Sequence, residues 1–269
     1  MLRLKILGWA LALLLTHDGK EATDRLVPSS WKGNPWGPAA TVARDSGELP
    51  PIVMTPKMQQ WDRWGRSVLR EGDIVFRRGD AKLLHGFFPF SRFIANCSGS
   101  PFSHTGIVAI EDGNQVVYDT TAAGVRRQPF AVWVLDNVGA FGVKRLRPEQ
   151  RLHIPQVVGY CRDVYERQVP FDGMLGLDDK ALYCVEMTEK AFRSSGLTLS
   201  EPVLLGNMEH APEFPICMFA FAYLSPWKLD QPVFFPGNDR HGIWSSPLLE
   251  TICPPTPPQA AARESRPKS

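Results

Sequence analysis

The sequence predicts an α+β fold in which a small antiparallel sheet packs against a helix that carries Cys184. Two observations favour this class. The runs Thr105 to Ile110 and Gln115 to Tyr118 are rich in β-branched residues, and the dipeptide Asp112-Gly113 between them is a hairpin signal. A later segment, Ala181 to Arg193, is amphipathic and predicts a helix. An antiparallel pair of strands next to a long helix is therefore the expected centre of the fold.

The other elements are predicted from spacing and from turn residues. Trp61, Trp64 and Val68 fall at helical spacing, Pro155 suits the first position of a helix, and Gly196 marks a helix end. In chain order these patterns predict a helix over Met58 to Leu69, a buried strand Ile74 to Phe76, a partly helical stretch Lys82 to Ala95, strands Val125 to Gln128 and Gly142 to Leu146, and a helix Pro155 to Glu166. Asp178 or Asp179 is the predicted N-cap of the helix that carries Cys184.

The amino-terminal residues 1–22 are typical of a targeting segment. Met1 to Lys5 is basic and Ile6 to Leu15 is apolar, but this run is shorter than the roughly 20 residues that cross a bilayer. We therefore expect an exported protein, periplasmic or associated with the cell envelope, without a stable transmembrane span. A short amphipathic element or a misassigned start stays open as the alternative.

Proline divides the rest of the chain into three parts. Residues 23–57 are predicted to be a Pro/Gly-rich arm or linker, residues 58–250 the domain, and residues 251–269 a disordered Pro-rich tail. Trp31 and Trp36 are unusual in a disordered linker, so packing of the arm against the domain stays open. The apolar stretch Phe214 to Leu224 is too short to span a membrane and predicts a buried strand or helix.

Composition narrows the classes of function. The formal net charge is +2, so charge gives no indication of a nucleic-acid partner. The cysteine count of 5 is odd, which leaves at least one thiol unpaired in a monomer. No CxxC or HxxxH spacing predicts a structural zinc site, and we expect neither a metal nor an organic cofactor. Cys97, Cys161 and Cys217 are interpreted as core residues.

Cys184 and His104 are the candidate nucleophile and base. Cys184 lies in the first turn of a predicted helix, where backbone N–H groups and the helix dipole favour an anion. His104 opens a predicted strand. A histidine that pairs with a thiolate is the arrangement that nucleophilic catalysis by cysteine requires.

Four motifs in a fixed order resemble a known family. They are Gly72-Asp73-Ile74-Val75-Phe76, Ser103-His104-Thr105-Gly106-Ile107-Val108, Val117-Tyr118-Asp119 and Tyr183-Cys184-Val185-Glu186-Met187. This order is similar to that of the permuted papain-like cysteine hydrolases of the YiiX/YebB type, in the NlpC-like superfamily, which also includes the lecithin:retinol acyltransferase group. The resemblance covers about Arg70 to Ser195 and implies a permuted papain-like fold.

The resemblance also implies roles for three residues. Cys184 matches the nucleophile and His104 the general base. Asp119 matches the third residue, which orients the imidazole; glutamate is more usual there, and aspartate is one methylene shorter. Val185 and Met187 also depart from the family pattern. Across a hairpin centred on Asp112-Gly113, we expect His104 and Asp119 to lie opposite each other to within a residue or so.

The expected reaction is hydrolysis of an amide, peptide or ester bond through a thioester acyl-enzyme. The family suggests an amide/peptide or acyl-ester substrate of cell-wall or lipid origin. Two alternatives stay open: a lipid acyltransferase that uses the same thioester, and an envelope-associated binding module whose site has drifted. The phenylalanines from Phe87 to Phe93 are either core residues or the wall of an acyl-binding cleft. Tyr183 and His85 are reserve candidates for the site, and the oligomeric state is not predicted.

Overall fold

A six-stranded antiparallel sheet organises the molecule. The computed structural model describes residues 26, 28–81, 90–208 and 227–256. The strands of this sheet are β1 (Ile74–Arg77), β2 (His104–Glu111), β3 (Asn114–Thr121), β4 (Gly124–Pro129), β5 (Phe141–Leu146) and β8 (Leu249–Thr256). Their spatial order is β4-β3-β2-β1-β5-β8. A separate two-stranded ribbon pairs β6 (Val203–Leu204) with β7 (Pro232–Val233).

The hairpin between β2 and β3 turns at the predicted dipeptide. Asp112 and Gly113 both adopt positive φ, 49° and 75°. Two residues with positive φ form the turn whose twist matches that of paired strands, which is why Asp-Gly is favoured there. The pairing of Ile107 with Tyr118 follows from this turn and fixes which side chains of the two strands share a face.

Helices cover both faces of the sheet. The α-helices of the described residues are α1 (Pro38–Asp45), α2 (Pro56–Val68), α3 (Phe90–Cys97), α4 (Phe130–Trp133), α5 (Ile154–Glu166) and α6 (Cys184–Ser194). α5 and α6 pack on one face, in a core that includes Ile107 and Phe192, and α2 and α4 pack on the other, in a core that includes Val108 and Trp61. Alternate residues of β2 therefore belong to different cores, as a sheet buried on both sides requires.

The chain forms regular structure on both sides of the predicted domain limits. Within the predicted arm, α1 forms and Trp36 is buried, and the Asn34 side chain donates to the Val125 carbonyl at 2.7 Å. Within the predicted tail, the chain continues as β8 to Thr256 because its backbone pairs with the edge strand β5. The many prolines indicated irregular chain in both segments. The amino-terminal segment is instead held by the buried Trp36 side chain, and the carboxy-terminal segment by pairing with the sheet edge at β5.

Among the helices of the described segments, none has the length and apolar character needed to cross a lipid bilayer. Several predictions lie outside the described residues: the targeting segment, most of Lys82 to Ala95 including His85 and Phe87, the stretch Phe214 to Leu224 and Cys217.

Candidate active site

Cys184 is the first residue of α6. Tyr183 is the N-cap in an extended conformation, with φ −97° and ψ 166°. The predicted cap at Asp178 or Asp179 is wrong, because the chain just before the helix stays extended: Leu182 forms a bridge with Phe171. The first backbone N–H groups of a helix have no acceptor within the helix, so the Cys184 thiol lies where an anion is stabilised.

The first turn of α6 is attached directly to the start of β2. The Thr105 hydroxyl lies 3.3 Å from the Cys184 carbonyl oxygen and 2.9 Å from the hydroxyl of Thr188, which lies one turn further along α6. These contacts hold the helix against the residue that follows His104. The position of the thiol relative to the histidine is therefore set by a buried strand and a buried helix, not by a loop.

His104 and Asp119 are hydrogen-bonded. His104 Nε2 lies 2.6 Å from Asp119 Oδ2, and both residues are buried. Continuing the register of the hairpin, Asp119 lies opposite Gly106, so it is offset from His104 by two residues on the same face. Gly106 permits this diagonal contact, since a Cβ there would approach Val117 Cγ1 to 2.5 Å and Asp119 Cβ to 3.4 Å. The shorter aspartate therefore does reach the imidazole.

Cys184 is the second partner of His104. Its thiolate raises the pKa of His104 both by its charge and as a side-chain hydrogen-bond partner. Since Nε2 is engaged by Asp119, Nδ1 is the atom available to sulfur. Cys184, His104 and Asp119 thus form a continuous chain of contacts from helix to strand to strand.

Asp119 is held by more donors than the sequence indicated. Arg126 donates through both Nε and Nη2, at 2.9 and 2.7 Å, and the Trp133 indole N–H donates at 2.7 Å. Arg77 lies 4.0 Å away and pairs with Asp136 at 3.2 Å. Every one of these side chains is buried, so a neutral cluster of two arginines and two aspartates surrounds the contact with His104.

The surroundings shift the pKa of both members of the pair. Burial alone lowers the pKa of His104, but the Cys184 thiolate and the hydrogen-bonded Asp119 carboxylate outweigh it and raise that pKa to about 9. Burial alone raises the pKa of Asp119, but Arg126 and His104 together bring it well below its usual range. Asp119 therefore stays ionised, and the imidazolium persists at neutral pH.

An apolar cleft opens in front of Cys184. It encloses about 690 Å³, counting the part that is open to solvent. None of its described lining residues is charged. They are Phe90, Ile94, Cys97, Ser103, Phe171, Leu175, Tyr183, Cys184, Val185, Leu205, Met208, Trp227, Val233, Phe234, Phe235 and Pro236. The cleft's apolar lining favours an apolar group, such as an acyl chain, over a charged one.

Three further residues of the sequence motifs have structural contacts. Glu186 accepts from the Tyr183 backbone N–H at 3.2 Å and pairs with Lys190 at 2.9 Å, as expected for a residue that stabilises the start of the helix. The Tyr183 hydroxyl accepts from the Phe234 N–H at 2.6 Å and so ties the cleft wall to α6. Asp73 pairs with Arg145 at 2.7 Å and accepts from the Arg70 backbone N–H at 2.8 Å, as expected for a residue that stabilises a turn.

Sequence reasoning missed Arg126 and Trp133. A signal for Arg126 existed: the glycine at position 124, just before the predicted strand Val125 to Gln128, allows a tight hairpin that pairs Arg126 with Asp119 across β3 and β4. An arginine directly opposite an aspartate on a buried strand indicates an ion pair. Trp133 lies in a short helix after β4, and no local pattern connects it with Asp119.

Cys161 is buried in the core on α5, and burial raises its pKa. This agrees with its interpretation as a core residue. Cys97 is also buried but lines the cleft.

One solved structure that matches is YiiX from Escherichia coli O157:H7. The two chains are 19% identical, and the match has a TM-score of 0.57 and covers 68% of this chain and 95% of that one. At this identity the likeness shows a shared fold. YiiX is described as a metalloprotein; in the described part of the present chain, no group of three or more His, Cys, Asp or Glu side chains is arranged to hold a metal ion.

No curated protein matches the chain. The family described as "Permuted papain-like amidase enzyme, YaeF/YiiX, C92 family" matches residues 68–248, which is more than half of the sequence. Together with the fold of YiiX, this confirms the predicted resemblance and the α+β, permuted papain-like fold. The chain belongs to the permuted papain-like amidases of the YaeF/YiiX family, a family of hydrolases.

Proposed function

We propose that the protein is a cysteine hydrolase that cleaves an amide, peptide or ester bond, with Cys184 as nucleophile, His104 as general base and acid, and Asp119 as the residue that orients the imidazole. The observation that carries this proposal is the contact chain from the helix N-terminus through His104 to a buried carboxylate. Each role requires its residue to lie within hydrogen-bonding reach of the next. Asp119 is hydrogen-bonded to His104, and Cys184 is a hydrogen-bond partner of His104.

The reaction has two halves. The Cys184 thiolate attacks the carbonyl carbon, and the oxygen becomes an anion beside the N–H groups of the first turn of α6. When the C–N or C–O bond breaks, His104 gives its proton to the leaving amine or alcohol and a thioester remains. Neutral His104 then takes a proton from water, the hydroxide attacks the thioester, and the carboxylic acid leaves as the thiolate re-forms.

The labelling of individual cysteines tests the nucleophile. At pH 6 we expect iodoacetamide to alkylate Cys184 much faster than it alkylates the exposed thiol of free glutathione, because an ion-paired thiolate reacts where an ordinary thiol is protonated. His104→Ala is expected to remove this advantage. Peptide mass spectrometry of wild type and variant, with glutathione in the same reaction, measures the rates. If Cys184 reacts at pH 6 no faster than glutathione, the nucleophile assignment fails and a drifted binding module is the better account.

The cleft supports an apolar acyl group as the part of the substrate that is bound. We expect Leu175→Asp to lower kcat/KM for a long-chain p-nitrophenyl ester by about 10-fold or more, since a charge there must be desolvated when the chain binds. Leu175 has a positive φ of 55°, which aspartate tolerates. Leu229→Asp is the matched control, because Leu229 is exposed and not among the cleft residues. Equal effects of the two variants would contradict this use of the cleft.

The same cleft favours a lipid acyltransferase as the second candidate. Both reactions share the thioester and differ only in the acceptor. Adding a primary amine or a lipid alcohol during ester turnover distinguishes them: a hydrolase releases free acid, whereas a transferase passes most of the acyl group to the acceptor.

We further propose, from residues 1–22 alone, that the protein acts outside the cytoplasm on a cell-wall or lipid-derived substrate. Cell fractionation and mass spectrometry of the protein's amino terminus test this location.

A further inference from the structure

Arg126 shares the Asp119 carboxylate with His104. We propose that Arg126 is a positioning residue: its guanidinium fixes the plane of Asp119 against His104 and, through its charge, sets the upper pH limit of the Cys184–His104 ion pair. This inference rests on the proposed function, because it takes the ion pair as the reactive form of the enzyme.

The geometry supports the positioning role. Arg126 Nε donates to Oδ1 and Nη2 to Oδ2, so the two planar groups are held in register by two parallel hydrogen bonds. Oδ2 is also the atom that His104 contacts. Arg126 and Asp119 are direct partners in the β3–β4 pairing, and both side chains are fully buried. Rotation of the carboxylate away from His104 would therefore break both hydrogen bonds to Arg126.

The charges around the pair support the second role. Charged groups from five parts of the fold surround His104. Cys184 on α6 and Asp119 on β3 interact with it directly. Arg126 on β4 and Arg77 on β1 lie beside Asp119, and Asp136 after α4 pairs with Arg77. With the imidazolium and the thiolate present, these charges sum to zero. Arg126 is a buried cation next to the protonated imidazole, so it opposes that proton while it holds the carboxylate that attracts it.

Loss of the cation alone should therefore strengthen the imidazolium. The probe is iodoacetate, an anion that the imidazolium attracts, so its rate of reaction with Cys184 falls once His104 loses its proton. For wild type we expect this fall near pH 9, the value to which the surroundings raise the pKa of His104. For Arg126→Gln we expect the midpoint to move up by about half a pH unit or more.

Two further variants separate charge from geometry. Arg126→Lys keeps the cation but not the bidentate fork; we expect an unmoved midpoint and a several-fold slower reaction at pH 7. Arg127→Gln is the matched control, since Arg127 is the next residue of the strand, pairs with Glu111 at 2.6 Å and is half-buried; neither midpoint nor rate should change.

The outcomes distinguish this inference from the proposed function. Two results would overturn the role of Arg126 and leave the ion pair standing. The first is a midpoint that is present in wild type and does not move in folded Arg126→Gln. The second is an equal shift of the midpoint in Arg127→Gln. If Arg126→Gln does not fold, Arg126→Lys decides: an unchanged rate overturns the positioning role. No descending limb in wild type, with Cys184 no faster than free glutathione at pH 6, overturns the proposed function itself.

Discussion

Asp119–Arg126 and Asp73–Arg145 are both buried aspartate–arginine pairs, and of these two only Asp119–Arg126 adjoins the candidate base His104. Asp119 binds Arg126 at 2.7 Å, and Asp73 binds Arg145 at the same distance. Asp73 also accepts from the Arg70 backbone N–H, whereas Asp119 accepts from Trp133 and His104. The pairs are alike in chemistry and burial but differ in their additional donors.

The pKa values of the two carboxyls shift in opposite directions. Burial outweighs Arg145 and the Arg70 N–H and raises the pKa of Asp73. At Asp119 burial is outweighed by Arg126 and His104, which lower the pKa. The comparison teaches that a buried ion pair does not by itself mark a site. A site carboxylate is distinguished by a further titratable partner that needs its charge.

Replacing each aspartate by asparagine gives the largest expected contrast. Asp119→Asn should lower kcat on a p-nitrophenyl ester by about 10²- to 10⁴-fold, because an amide neither stabilises the imidazolium nor fixes its orientation. Asp73→Asn should leave kcat per folded molecule unchanged. Both variants break a buried pair and are expected to lose about 3 kcal/mol of unfolding free energy.

Steady-state kinetics, scaled by the folded fraction from circular dichroism, separates these effects. Asp119→Glu is the supporting variant, since it keeps the charge and is expected to retain more activity than Asp119→Asn. If Asp73→Asn lowers kcat as much as Asp119→Asn, the contrast between the pairs is wrong and both carboxylates act through stability.

Removing a single donor should give an intermediate effect. Trp133→Phe keeps an aromatic ring beside His104, at a centroid distance of 5.9 Å in the native protein, but removes the indole N–H that Asp119 accepts. A hydrogen bond to a charged group contributes about 1.5–3 kcal/mol, so we expect a roughly 10-fold lower kcat with little change in KM. Trp64→Phe is the control in the same core. An equal loss in both variants would mean that packing, not the N–H, matters.

The sequence was sufficient for the central strands and helices and for the outline of the site. The hairpin at Asp112-Gly113 fixed the register of β2 and β3, and this register is what brings Asp119 near His104. The periodicity of Ala181 to Arg193 indicated the helix with Cys184 in its first turn. Both are local patterns. The four short sequence motifs, taken in their order along the chain, were enough to identify the family.

What the sequence did not predict depends on contacts distant along the chain. Trp133 contacts Asp119 only because a short helix turns back over the sheet, and the wall at Phe234 is attached to Tyr183 from 51 residues away. The start of α6 was misplaced because the pairing of Leu182 with Phe171 overrides the capping tendency of Asp178 and Asp179. Tertiary pairing decided these positions, and propensity does not encode it.

The pH dependence of stability should give the smallest contrast between the two aspartates. A lowered folded pKa at Asp119 stabilises the protein above the ordinary aspartate value of 3.8, and this contribution is lost as the pH falls below it. A raised pKa at Asp73 has the opposite sign: ionisation is disfavoured in the folded state, so stability falls as the pH rises from 3.8 through the raised value. Relative to wild type, Asp73→Asn should therefore be less destabilising at pH 7 than at pH 4, whereas Asp119→Asn should become less destabilising only as the pH falls from 4 to 2. Urea unfolding between pH 2 and pH 7 measures both differences, and parallel curves for the two variants would show that the additional donors at Asp119 do not separate it from Asp73.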